Sequence, residues 1–159
     1  MKITILAVGK LKEKYLREGV AEYAKRLAPF TKLEIIEIAE EKMPENFSMA
    51  EKEKTLAREG ERLLARVPAG DELIVLDVAG ESLSSEELAA HIGEKMASGT
   101  PNLTFLIGGA FGLSPAVRKA ARLRLSFSRM TFTHQMARLL LAEQIYRAFK
   151  ILRGEKYHW

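Results

Sequence analysis

Cysteine is absent from the 159 residues, which removes disulfides, zinc–thiolate sites and cysteine nucleophiles together. No apolar run approaches the roughly 20 residues needed to span a bilayer. The opening MKITILAVGK holds too short an apolar stretch for a signal peptide and runs on into charged sequence. A cytoplasmic protein without membrane contact is therefore expected, and no metal site is foreseen. Internal repeats and low-complexity linkers are also missing. The glycine run Gly108-Gly109-Ala110-Phe111-Gly112 lacks the spacing of G-x-G-x-x-G, and no Lys-Ser/Thr pair follows it, so a dinucleotide fingerprint and a P-loop both fit poorly.

What is present is ordinary for a globular chain: 47% hydrophobic and 29% charged residues, in a length suited to one domain over 1–159. The net charge of +4 and a pI near 9.3 permit a polyanionic partner without demanding one. Aliphatic strand-like segments at 2–8, 33–39, 72–78, 103–107 and 123–127 alternate with helical patterns at 12–27, 48–66, 84–99, 114–122 and 134–153. Gly80 is read as the end of the third strand. Ser48 with Glu51 and Ser84 with Glu87 form capping-box signatures, and Ser114-Pro115 pairs an N-cap with a proline at the first helical position. Regular alternation predicts an α/β fold, a mostly parallel sheet with helices on both faces.

Two loops stand out. The glycine run follows the fourth strand, and Ser126 to His134 follows the fifth and leads into the last helix. Ligands of open α/β sheets sit outside the carboxyl ends of strands, so two such loops suggest one shared pocket. Residues 126–133 mix Ser, Thr, Phe and Met, as a site for an adenine ring and a sulfur-bearing chain requires. The last helix is apolar on more than one face: Ala137, Leu140, Leu141, Ile145, Ala148 and Leu152 form a stripe that Met136, Leu139 and Ala142 widen. An isologous dimer contact explains the second face; a helix buried centrally in one chain is the alternative. His91 lies on an apolar helix face and is assigned no role. His134 sits where the second loop meets the helix. Tyr157-His158-Trp159 suits stacking on an unpaired base, against the ordinary reading of a frayed end.

In combination, MKITILAVGK, LIGGAFGLS, SFSRMTFTHQMAR and AEQIYRAFKILRGEKYH resemble the ribosomal RNA large subunit methyltransferase H family, of the SPOUT (α/β-knot) class. The resemblance covers essentially the whole chain. It implies a C-terminal trefoil knot, an exception to the rule that connections are unknotted, in a homodimer. It further implies S-adenosyl-L-methionine as cofactor and methylation of N3 of a pseudouridine in helix 69 of 23S ribosomal RNA. By the same resemblance the cofactor is held at Leu76, Gly108, Phe127, Ser128, Arg129, Met130, Thr131 and Phe132. The chain departs from the family at Thr133, where proline is usual; threonine offers a helix cap instead.

Methylating a ring nitrogen requires loss of its proton. His134 and His158 are candidates to take it, Arg138 to hold a phosphate or stabilise charge, and Tyr157 to touch the base. A tail contributed to the partner's pocket would join the two groups of residues. Two other readings stay open: a related knotted methyltransferase acting on transfer RNA, and a ribosome-binding module without catalysis.

Overall fold

The computed structural model describes residues 1–99 and 102–157. Its elements run β1 (Lys2–Val8), α1 (Lys14–Leu27), β2 (Lys32–Ile38), α2 (Met49–Ala65), β3 (Glu72–Ser82), α3 (Ser85–Ala97), β4 (Asn102–Ile107), α4 (Pro115–Ala120), β5 (Leu123–Ser126) and α5 (His134–Leu152). The five strands form one sheet in the order β2-β1-β4-β3-β5, and every pairing is parallel. The α/β alternation expected of the sequence is therefore found. Both central strands, β1 and β4, are nearly continuous runs of buried residues, as parallel strands covered on two faces require.

One face packs Ile3, Ile5, Leu103 and Phe105 against Leu27 of α1, Leu88 and Ile92 of α3, and Leu141, Ile145 and Phe149 of α5. The other packs Leu6, Val8, Val75 and Leu106 against Leu63 of α2 and Val117 of α4. The predicted caps form: Ser48 and Ser84 close capping boxes with Glu51 and Glu87, and Ser114 accepts from the Val117 amide at 3.3 Å. Thr133 caps α5, accepting from the Met136 amide at 3.2 Å.

One expectation is corrected. β3 does not stop at Gly80 but continues to Ser82, with a register shift against β5 between Leu76 and Glu81. A Cβ at Gly80 would lie 2.5 Å from the Arg124 carbonyl oxygen; the glycine marks a bulge where two backbones meet, not the strand's end. Part of the apolar surface on α5 is met within the chain, because α5 lies between α1 and α3. Gly19 of α1 faces Leu139, and Gly93 of α3 faces Leu152, each leaving no room for a Cβ. That part therefore does not by itself require a second subunit. Leu141, fully buried, is the point of the core where α5 meets the sheet. Leu141→Ala is expected to cost about 2–5 kcal/mol in urea unfolding, against about 1 kcal/mol for Ser84→Ala.

Candidate functional site

At the carboxyl ends of β3, β4 and β5 a cavity of about 570 Å³ opens between the two loops. Its floor is apolar: Leu76 from β3, Ile107 from β4, Leu125 from β5, and Leu113 and Ala137 from the flanking segments. Phe127, Ser128, Met130, Thr131 and Phe132 form one wall and Gly108 to Ala110 the other. The size and the apolar lining with few polar groups match a small-ligand site.

Local chemistry shapes both loops. Gly112 has φ +91, a left-handed conformation open to glycine, and its amide donates back to the Gly109 carbonyl at 3.1 Å. A Cβ on Gly108 would lie 2.6 Å from Leu113 Cδ2 and 2.8 Å from the Gly112 oxygen. Glycine is needed there by the loop's own fold, before any ligand is considered. In the second loop the Ser126 hydroxyl donates to the Ser128 carbonyl at 3.0 Å, and the Ser128 hydroxyl accepts from the Met130 amide at 3.0 Å. The serines hold the turn that presents Met130 and Phe132, both exposed.

Of the residues singled out from the sequence, Leu76, Gly108, Phe127, Ser128, Met130, Thr131, Phe132 and His134 share this cavity. Arg129 is exposed and does not line it. Arg138 is not placed to hold a phosphate: it is 1% exposed, donating from Nη1 to Glu37 and from Nη2 to the Gly9 carbonyl at 3.0 Å. Its charge is already used inside the fold. Tyr157 is also elsewhere. Its hydroxyl donates to Glu143 at 3.1 Å, its ring meets Tyr146 edge-on at 4.9 Å, and the Arg147 guanidinium lies over it at 4.8 Å. Burial, together with the Tyr23 and Glu143 contacts, pushes its phenol well above the usual range. It is a docked anchor rather than a free stacking ring. His158 and Trp159 fall outside the described residues.

Sequence reasoning passed over Asp77 and Arg118, which also line the cavity. Asp77 accepts from Arg118 Nε at 3.0 Å, from Arg124 Nη1 at 3.4 Å and from the Ala79 amide at 3.0 Å. It passed over Glu59 as well, a buried carboxylate of α2 behind the glycine loop. The signal was its place one turn from Leu63, on the buried side of the helix.

Two pKa shifts matter. Burial lowers the His134 imidazole, with Arg138 and Lys12 adding to the effect and Glu40, 3.8 Å away, opposing it. The shift favours the neutral imidazole, the form that can accept a proton. Burial raises Glu59, reinforced by the charges of Glu40 and Glu41 and opposed by the amides of Glu41 and Gly109. A carboxyl raised in the folded state binds protons more tightly there than in the unfolded chain, so stability declines as pH rises from the unfolded value through the folded one. Glu59→Gln is thus expected to raise Tm relative to wild type at pH 7, with the difference shrinking as pH falls toward 4.5. Melting curves across that range check it; a pH-independent difference would show that the ionised carboxylate carries no penalty.

Among the described residues no cluster of three or more His, Cys, Asp or Glu is arranged to hold a metal, and no helix is long and apolar enough to cross a membrane. Fold and cavity together define a parallel α/β domain that binds a small ligand at a paired-loop site beyond its strand ends. The family model for predicted SPOUT methyltransferases matches residues 1–158, and the chain belongs to that family, the α/β-knot class. It is 56% identical, over 99% of both chains, to the ribosomal RNA large subunit methyltransferase H of Carboxydothermus hydrogenoformans. A putative methyltransferase from Legionella pneumophila, solved with its cofactor SAM bound, shares the fold at a TM-score of 0.50 and 12% identity. The alignment takes in 94% of this chain and 66% of that one, just under two thirds of the neighbour.

Proposed function

We propose that the protein transfers a methyl group from S-adenosyl-L-methionine to N3 of a pseudouridine in helix 69 of 23S ribosomal RNA, as a cytoplasmic homodimer of one-domain subunits. The observation that carries the reading is the apolar cavity between two strand-end loops with the His134 imidazole in its wall. The extent of the similarity to the Carboxydothermus enzyme supports the ribosomal substrate. Leu76, Ile107, Leu125 and Phe127 would offer an adenine an apolar berth, and Gly108, Gly109, Ser128 and Thr131 would supply polar contacts. Bound there, S-adenosyl-L-methionine supplies an electrophilic methyl on a sulfonium.

The remaining work belongs to the protein. Holding the ring nitrogen in line with the methyl is worth roughly 7–11 kcal/mol, and a general base adds about 10²–10⁴-fold. As N3 gains the methyl it loses a proton, and His134, half-buried at the cavity wall, is the group to receive it. Tyr157 contacts Glu143, nine residues along α5 from His134, which is about 13 Å of helix. Within one chain the tail is anchored away from the cavity, which supports a composite site completed by a second subunit. The outward stripe of α5, with half-buried Met136 and Leu140, is the surface proposed for that contact.

Methyl transfer to large ribosomal subunits, with transfer RNA as the competing substrate, tests the reading; methylation of transfer RNA alone would overturn it. His134→Gln is expected to lower kcat by about 100-fold while calorimetric affinity for S-adenosyl-L-methionine holds. For wild type, kcat/KM should fall with pH only below the ordinary histidine range, because the lowered pKa keeps the imidazole neutral until then. Leu140→Glu is expected to yield a folded monomer by sedimentation, inactive for want of the partner's tail. A folded wild type that sediments as a monomer at micromolar concentration would remove the dimer.

A further inference from the structure

Charge is divided unevenly along the chain. Residues 102–159 hold ten Lys and Arg against two Asp and Glu, whereas residues 1–101 hold fifteen against nineteen. Most of the cations on α5 and the tail are already engaged: Arg138 with Glu37, Arg147 with Glu143, and Lys150 and Arg153 with Glu155. The others concentrate elsewhere. Arg118, Lys119, Arg122, Arg124 and Arg129 lie within twelve residues on α4, β5 and the loop that follows, and all are exposed. The acids near them are Asp77, which takes Arg118 and Arg124, and Glu81, which sits opposite Leu125. Lys119, Arg122 and Arg129 form no ion pair among the described residues.

The opposite edge of the sheet is mixed in charge. Where β2 ends, Glu40, Glu41 and Glu45 follow in the chain, and Glu59 of α2 lies behind the glycine loop; Arg62 pairs with Glu41, Lys42 lies in the same stretch, and Lys10 and Lys12 follow the neighbouring β1, Lys12 near enough to act on His134. The cavity thus lies between a rim of mixed charge beside β2 and a basic rim beside β5, the two ends of the strand order. A polyanion nearing the cavity is drawn to the β5 rim. Asp77 fixes the basic rim: its side chain is 4% exposed and holds two guanidinium groups, of which Arg118 borders the cavity itself. Cations on an edge strand also discourage pairing with another chain, but that role does not call for Arg118 and Lys119 on a neighbouring helix.

We propose that the α4–β5 edge is the docking surface for RNA backbone phosphates, laying the strand across the cavity mouth from the β5 side. This rests on the reading of the protein as an RNA methyltransferase. Phosphate contacts position a nucleic acid without reading its sequence, so the surface governs binding and register rather than the methyl-transfer step.

The test is the double variant Lys119→Gln/Arg122→Gln, neither residue lining the cavity, assayed on protein-free large-subunit rRNA and on intact large subunits. KM for rRNA is expected to rise about tenfold, and the slope of log affinity against log salt to become shallower by roughly 1.5, since each lost phosphate contact removes about 0.7–0.9. kcat and affinity for S-adenosyl-L-methionine should stay at wild-type values, the pattern of a lost uniform binding contact. Lys25→Gln/Lys32→Gln removes the same charge at the other end of the sheet and should leave both quantities unchanged. Equal effects from the two double variants would reduce the surface to net charge and overturn it. So would wild-type KM and salt slope in the first variant while the wild type methylates rRNA. A defect confined to intact subunits would assign the edge to an acidic ribosomal protein and overturn the RNA assignment. If the wild type neither binds nor methylates rRNA, the substrate reading falls, and the surface with it.

Discussion

The buried guanidinium of Arg138 is the constraint on which the site depends. It is the largest fully buried side chain among the described residues, and it ties α5 to Glu37 of β2 and to the Gly9 carbonyl just beyond β1. Breaking such a pair by removing one partner typically costs about 3–5 kcal/mol, because a charge is left without compensation in the interior. The bond fixes the first turn of α5 against the ends of two strands. One turn earlier lies His134, so the ion pair sets the imidazole's position in the cavity wall, and the guanidinium charge helps keep that imidazole neutral.

A second layer of buried charge supports the glycine loop from behind. Glu59 reaches the backbone at Glu41 and Gly109, and Gly109 has only 3.3 Å between a would-be Cβ and the carboxylate. The loop is thus held on one side by a carboxylate that burial destabilises in its charged form, and on the other by the Gly109–Gly112 turn. Functional loops commonly carry such local costs while the rest of the fold supplies the stability. Here the parallel sheet does so, with both faces covered.

The separation of His134 from Tyr157 bears on how catalysis is organised. One end of α5 belongs to the cavity. Farther along, α5 anchors the tail through Tyr146, Glu143 and Arg147. A stiff helix between them keeps the two groups apart in one chain, and a symmetric pairing of α5 surfaces is the economical way to bring them together. The same geometry makes the tail a reporter of assembly in the proposed dimer.

Much of this was legible in the residues. Two capping boxes, the Ser114-Pro115 start and aliphatic runs of strand length are local signals, set by backbone hydrogen bonding and side-chain period, and they located ten elements to within a few residues. The glycine loop and the serine-rich loop could be read as a shared site because parallel strands leave their carboxyl ends together. Three things were not legible, each because it depends on what lies across the fold. Gly80 reads as a terminator until Arg124 of β5 is seen against it. Which leucines of α5 face inward cannot be told until Gly19 and Gly93 are seen to admit Leu139 and Leu152 between two helices. Arg138 reads as a cation open to phosphate until Glu37, 101 residues earlier in the chain, is found beside it. The sequence by itself determined the periodicities, the caps and the loop chemistry, which act over a few residues. Only the tertiary structure decided which charges are spent inside the fold and which remain for a partner, because ion pairing and burial are settled by groups far apart in sequence.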